Sequence, residues 1–475
     1  MKQGKVIVIS PPFYSHFRPL LRLSRAFAEA GWQTLVACSR DFESQIVGLQ
    51  IQNRREPPHQ RLGFVELVIS RNANTGVAEK TDQPEEERER INAFLEATRR
   101  GPLETLILQA EHRKLDMLFE PEYLADQIQG IHRRERADLY VVDQLSYGVT
   151  IALYLLGLPF VSFCPAHPYS IPVGTNLYGV PPVWPEVFTA SVEDSTHGPA
   201  PIDAELLGRL RELSVQVENH FTNEFNTVLG RSAPGLRRIA NAFRFTSSLA
   251  VLYNYPEFSP GREIAGAGPI FLGSCFQPEP LSSEWRKLLD ARGEFGPRVL
   301  IALGTFLSAR ADVIGRCIRG ILRAFPRALI IAGAGAQEEA LEGLPEDQVL
   351  VRSFVPQIGL LPEMELFVHH GGNNSFTESL YYGVPMILLP FSSDQFNVAR
   401  DAENHGVAPV LDPNHFSESR IAEAAKQTLD GDRSAVDAWS RWVRDRGPAY
   451  GVRRLERLLD IEARADHPAD TDSGG

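Results

Sequence analysis

Short, uniformly apolar runs recur along the chain, most of them closed by a turn residue and followed by a segment of helical spacing. Lys5–Ser10 is the first run; the loop 11–18 and a helix over Pro19–Ala30, stopped by Gly31, lead to a second at Gln33–Cys38. Ala137–Val142, Leu158–Phe163 and Leu249–Tyr253 read as further strands, with helices over Ser146–Leu156 and between about 204 and 241. The grammar then repeats: strands at Arg298–Leu303, Ala328–Ala332, Leu366–Val368, Met386–Leu389 and Ala408–Leu411, and helices at Ala311–Ala324, Ser375–Tyr382 and Glu418–Leu429. Runs without polar alternation, separated by helices, predict an α/β protein with parallel sheets buried on both faces.

A chain of 475 residues exceeds what one core organises, so two domains are expected. The proline- and glycine-rich segment 255–270 lacks periodicity and reads as the linker. It separates a first domain (1–254) from a second (271–446); a helical segment (447–463) and a polar tail (464–475), expected to be disordered, complete the chain. Apolar content of 43% and charged content of 23% are those of an ordinary soluble protein. The net charge of −12 argues against nucleic acid or an anionic membrane as partner. Cys38, Cys164, Cys275 and Cys317 are scattered without metal spacing, which suits a reducing compartment. No run approaches a membrane span, and the first strand is too brief for a signal-peptide core, so the cytoplasm is the expected location.

Residues 349–399 carry the most specific chemistry. A buried strand runs into Gly371-Gly372, which lets the backbone turn before Asn373, Asn374 and Ser375 open a helix. The first N–H groups of a helix lack internal partners and carry the positive end of its dipole, so an anion placed there gains several donors. Side-chain donors on His370, Asn374 and Ser375 make a pyrophosphate the natural guest. Asp394-Gln395, at the exit of the next strand, pairs a carboxylate acceptor with an amide and suits the hydroxyls of a sugar.

This stretch resembles the nucleotide-sugar signature of the UDP-glycosyltransferase superfamily, inverting enzymes of the GT-B fold. The resemblance rests on Phe354-Val355-Pro356-Gln357, on His370-x-Gly372-x-Asn374-Ser375-x-x-Glu378, on Gly383-Val384-Pro385 and on Asp394-Gln395. It implies two Rossmann-like domains facing each other across a cleft. It also implies that Phe354 stacks on the nucleobase, Val355 reads its edge, and Gln357 and Glu378 take the ribose hydroxyls. His370, Gly372, Asn374, Ser375 and Thr305, the last in a Gly-Thr turn after Leu303, would hold the pyrophosphate, while Asp394 and Gln395 orient the hexose. Phe354 stands where tryptophan is usual, so uracil and thymine both fit, and the doubled His369-His370 is resolved in favour of His370 by spacing.

Pro11–Leu23, PPFYSHFRPLLRL, is similar to the same family's first loop and gives His16 the position of its general base. A neutral imidazole takes a proton best when a carboxylate holds its other nitrogen. Asp143, at the end of a strand expected at the same sheet edge, is the candidate; capping the following helix is the alternative. Residues 72–136 read as insertions over the cleft, with a charged helix face near 84–90 and helical spacing at Ile91–Arg99 and 103–118. Phe13, Tyr14, His167, Tyr169, Tyr178 and Trp184 either line the acceptor pocket or pack within a lid. No Asp-x-Asp motif accompanies the phosphate site, so neither metal nor cofactor is expected; the nucleotide sugar is a co-substrate. The implied partners are a nucleotide-sugar donor, UDP-glucose or a dTDP-sugar, and a small hydroxyl-bearing natural product. A homodimer is left open, and a non-catalytic auxiliary protein or a sugar-nucleotide epimerase of related fold are the rival readings.

Overall fold

The apolar runs become parallel strands of two sheets in the computed structural model. It describes every residue except 1–3, 53–60, 70–84, 116–119, 190–201, 292–295, 336–340, 342 and 466–475. The first sheet contains β1 (Lys5–Ile9), β2 (Gln33–Cys38), β3 (Gly63–Glu66), β4 (Leu139–Asp143), β5 (Phe160–Cys164), β6 (Val251–Tyr253) and β7 (Pro269–Phe271). Its order is β3-β2-β1-β4-β5-β6-β7. The second contains β8 (Arg298–Ala302), β9 (Leu329–Gly333), β10 (Val349–Arg352), β11 (Leu366–His369) and β12 (Met386–Leu388), in the order β10-β9-β8-β11-β12. Every pairing is parallel; in register, Val6 faces Thr34 and Leu139, and Leu366 faces Val299. The strand interiors are closed to solvent, Val8, Val141, Ile301 and Val368 among them. This is why the runs show no polar alternation.

Both sheets reverse strand order next to their first strand, between β1 and β4 and again between β8 and β11. In open α/β sheets, ligands gather outside the carboxyl ends of the strands at such a switch point. Two of them face one cleft here.

The sequence boundaries need two corrections. The segment read as linker contains β7, whose Pro269 lacks an N–H and is tolerated because β7 is the edge strand. Tyr253 and Phe271 stack across β6 and β7 with ring centroids 5.1 Å apart, so the chain leaves the first sheet only after residue 271. From the same segment Phe258 packs on Trp439 of the second domain, ring centroids 4.3 Å apart. Ala408–Leu411 forms only a bridge between Val410 and Leu388, not a strand. The last helix, Pro448–Ala465, crosses back to the first domain: Val452 and Leu455 share a core with Val6, Leu20 and Leu139. Trp439 joins the core around Phe376 and Leu380 in the second domain, and Trp442 packs both there and against Cys164, Val251 and Phe271 of the first.

The insertions fold as helices Glu85–Arg100 and Pro102–Leu115 and bind the opposite domain. The guanidinium of Arg310, 2% exposed, is held by both oxygens of Asp312 and by Asn414, and donates to Thr98 Oγ1 at 3.2 Å. Asn414 in turn donates to the Thr98 carbonyl at 2.9 Å, and Phe94 packs on the second domain's core. Among the described residues no helix is long and apolar enough to cross a membrane.

Candidate functional site

The carboxyl ends of the two sheets enclose a cleft of about 1850 Å³. That exceeds the roughly 300–1,000 Å³ of an ordinary single-ligand pocket and leaves room for two ligands. His16 follows β1 and Asp143 ends β4; Gly304 follows β8 and His370 follows β11.

His16 lies in the first turn of helix Tyr14–Glu29, which begins five residues before the expected start and replaces the predicted loop. Pro19 had been read as the start, yet it sits inside the helix. Having no N–H, it leaves the carbonyl of Ser15 without its helical partner. That carbonyl accepts Asn374 Nδ2 at 2.8 Å, a bond that joins the helix bearing His16 to the glycine-turn helix of the other domain.

His16 Nδ1 is 2.9 Å from Asp143 Oδ2, with the carboxylate fully buried and the imidazole 21% exposed. Asp143 Oδ1 accepts the Leu145 N–H at 2.9 Å, so the carboxylate orients the imidazole and closes a local turn at once. It does not cap the helix Tyr147–Leu155, whose N-cap position is Ser146. Burial pulls the His16 pKa down, but the charge and hydrogen bond of Asp143, with Asp394 behind them, reverse this, and the net shift is upward.

On the facing side Gly371, at φ +81°, makes the turn, and Gly372 stands at the N-cap of helix Asn373–Tyr382 without a side-chain cap. The helix starts two residues earlier than predicted. Its first amides therefore lack the side-chain acceptor that usually satisfies them. His369 is fully buried in β11, accepts the Gly371 N–H and stacks on Phe367, whereas His370 lines the cleft. Register thus selects His370, as spacing predicted. Its ring fills the space that side chains at two glycines would need. A Cβ on Gly372 would sit 2.3 Å from Nε2, and one on Gly304 would sit 2.9 Å from Cε1. Burial pushes the His370 pKa down to about 4, so the ring is neutral at pH 7, and its buried Nδ1 has no hydrogen-bond partner.

Gln357 Nε2 donates to Glu378 Oε2 at 2.6 Å and to Ser375 Oγ at 3.2 Å, tying three of the expected donor ligands together. Burial pushes the Glu378 carboxyl up to about 7, against the pull of Arg18 and Gln357. Phe354 stands at the cleft wall with 62% of its surface exposed, while the Val355 side chain is buried and meets Gly333. Thr305 lies in the short helix Gly304–Leu307, its side chain outside the described residues.

Three expected site residues do not reach the cleft. Gln395 turns back on its own loop: Oε1 accepts the Phe391 and Ser392 N–H groups and Nε2 donates to Ser392 Oγ. His167 is buried against Asp401, and Trp184 packs on Phe396 in a core between the domains. Phe13, Tyr14, Tyr169, Tyr178 and Asp394 do line the cleft. The sequence reading missed Arg18, Glu279 and Asn397, which line it too. Arg18 lies two residues after His16, and Asn397 lies one helical turn after Asp394, so both were within reach of a spacing argument; Glu279 joins only through its 3.4 Å ion pair with Arg18.

Residues 262–448 match the family model described as UDP-glucoronosyl and UDP-glucosyl transferase. The demethyllactenocin mycarosyltransferase of Streptomyces fradiae is 29% identical over 196 residues, 41% of each chain, so the match spans less than half of that relative's length. The NDP-glycosyltransferase YjiC of Bacillus subtilis (strain 168) is 21% identical over 463 residues, 98% of each chain. Among solved structures, the glycotransferase of kitacinnamycin superposes with a TM-score of 0.62 at 18% identity, covering 96% of this chain and 99% of that one. The fold is that of the GT-B glycosyltransferases.

Proposed function

We propose, from the match of residues 262–448 to the UDP-glucoronosyl and UDP-glucosyl transferase model and from the geometry of the cleft, that this chain moves a hexose from a nucleotide sugar to a hydroxyl of a small natural product, inverting the anomeric centre. The observation that carries this reading is the Asn374–Ser15 hydrogen bond of 2.8 Å, which sets the uncapped helix start of one domain against the helix of His16 in the other.

The pyrophosphate would lie at the amides of Asn373, Asn374 and Ser375 beside His370. There the helix dipole and a neutral imidazole donor meet the charge that grows on the leaving diphosphate. Gln357 and Glu378 take ribose hydroxyls, and Phe354 offers its exposed face to the base, UDP being favoured and dTDP allowed. Asp394 accepts hydroxyls of the hexose. His16 Nε2 takes the proton of the acceptor hydroxyl while Asp143 stabilises the imidazolium formed. Attack from the face opposite the leaving diphosphate turns an α-linked donor into a β-glycoside.

The helix start and His370 would supply the electrostatic stabilisation that a divalent metal provides elsewhere. We therefore propose transfer without added metal. The acceptor is proposed as a natural product because the named relatives serve demethyllactenocin and kitacinnamycin. Leu106, Val149, Tyr178 and Phe221 give the acceptor side an apolar wall.

The test is to incubate the protein with UDP-glucose or dTDP-glucose, chelator and a panel of phenolic and macrolide alcohols, following diphosphate release and product configuration by NMR. Acceptor-dependent release with a β-linked product is expected. Release without acceptor, or an α-linked product from an α-donor, overturns the inverting-transferase reading.

A further inference from the structure

Asp394 enters the cleft from a turn that its own domain does not hold alone. It follows Ser393, a non-glycine residue at φ +54°, and its Oδ2 accepts the backbone N–H of His167 from the opposite domain at 2.9 Å. The His167 side chain adds a second tie. Its Nδ1 accepts the Tyr169 N–H at 3.1 Å, so that nitrogen carries no proton. The proton is on Nε2, which donates to Asp401 Oδ2 at 2.9 Å. Asp401 lies on helix Gln395–Asn404, which Asp394 begins as N-cap, so one loop is fixed to one helix at two points seven residues apart.

The far side of Asp401 is closed by Arg262, whose guanidinium donates to Oδ1 at 2.8 Å and Oδ2 at 3.1 Å. Burial penalises the Asp401 carboxylate, but the His167 and Arg262 bonds hold its pKa far below the usual carboxylate range. Arg262 also lies over the Tyr169 ring, 4.9 Å from its centroid, and so braces the residue whose amide fixes the His167 tautomer. Histidine and aspartate are almost fully buried in this pair, and a buried, saturated carboxylate with three N–H donors tolerates little displacement.

We propose that His167, Asp401 and Arg262 are positioning residues for donor-sugar recognition. They place the His167 N–H, which in turn aims the Asp394 carboxylate into the cleft, and they do so only when the two domains are apposed. The inference rests on Asp394 taking hexose hydroxyls. It assigns His167 a role different from lining the acceptor pocket. It also explains why a buried ion pair joins two domains at this point, beside a site where a sugar must be told from water. Asp394 and His16 line the same cleft, so an error in the pose of a sugar held by Asp394 is passed to the reacting centre.

The experiment is calorimetric binding of UDP-glucose and dTDP-glucose against UDP and dTDP, to wild type and to His167→Leu, His167→Gln, Asp394→Ala and the His167→Leu/Asp394→Ala pair. His167→Leu is expected to weaken the nucleotide sugar about 10-fold, one hydrogen bond to a charged group, while leaving the diphosphate within about twofold. His167→Gln keeps a donor toward Asp401 and restores most of the loss. In the Asp394→Ala background His167→Leu adds nothing further, because the two residues act through one contact. Equal weakening of sugar and diphosphate, or full additivity in the pair, overturns the inference; His167→Gln and Asp394→Ala carry the test if His167→Leu does not fold. Wild type that binds neither nucleotide nor nucleotide sugar contradicts the parent reading instead, before any variant is considered.

Discussion

Replacing His16 by alanine lowers transfer by about 10²–10⁴, the usual contribution of a positioned general base, and leaves donor affinity within about twofold. The separation follows from placement: His16 and Asp143 stand on the first domain, while the proposed phosphate ligands His370, Asn374 and Ser375 stand on the second. The pH profile gives a second reading of the same pair. His16 must be neutral to accept a proton, and Asp143 raises its pKa above the ordinary 6.5. The rate therefore falls as pH drops through a value higher than 6.5. Removing the negative charge lowers that pKa, so Asp143→Asn moves the acid limb to lower pH and slows the reaction at every pH on the plateau. Steady-state rates across pH for both proteins check this; an acid limb that stays in place in Asp143→Asn contradicts the pairing.

Gly372→Ala should weaken nucleotide-sugar binding roughly 10- to 100-fold, the worth of one or two hydrogen bonds to a charged phosphate. The backbone at Gly372, φ −62°, suits alanine, so strain is not the reason. The reason is the His370 ring, whose Nε2 would lie 2.3 Å from the new Cβ, so that the ring must swing away. The His-x-Gly spacing is thus a packing requirement as much as a motif. Calorimetry with UDP-glucose checks it, and affinity like that of wild type would mean that His370 does not hold the phosphates.

Much of this was legible from the chain. Strands without polar alternation announced parallel sheets, and the spacing from His370 to Ser375 and Glu378 selected the histidine of an adjacent pair that lines the cleft. His16 and Asp143 were both expected at carboxyl ends of strands, which left their pairing and a helix cap as alternatives; the structure sets them 2.9 Å apart. The failures share a cause. Gln395, His167 and Trp184 have side chains suited to a pocket, but which way each points is decided by contacts the motif does not encode: the distant Asp401 for His167, the distant Phe396 for Trp184, and its own turn for Gln395. Pro19 was read as a helix start by propensity. The helix instead begins at Tyr14, and the Ser15 carbonyl freed by the proline is used by Asn374 of the other domain. The edge strand β7 was hidden by the same proline and glycine content that marks a linker.

The central claim is that the cleft between the two sheets is a nucleotide-sugar site built on the start of helix Asn373–Tyr382. Calorimetric titration of the full-length protein with UDP-glucose and with dTDP-glucose, in chelator and without acceptor, tests it directly. The account predicts saturable one-to-one binding of at least one of them, weakened on Gly372→Ala and kept on His16→Ala. A folded protein that binds neither would contradict it, and would favour an auxiliary protein that keeps the fold without the donor.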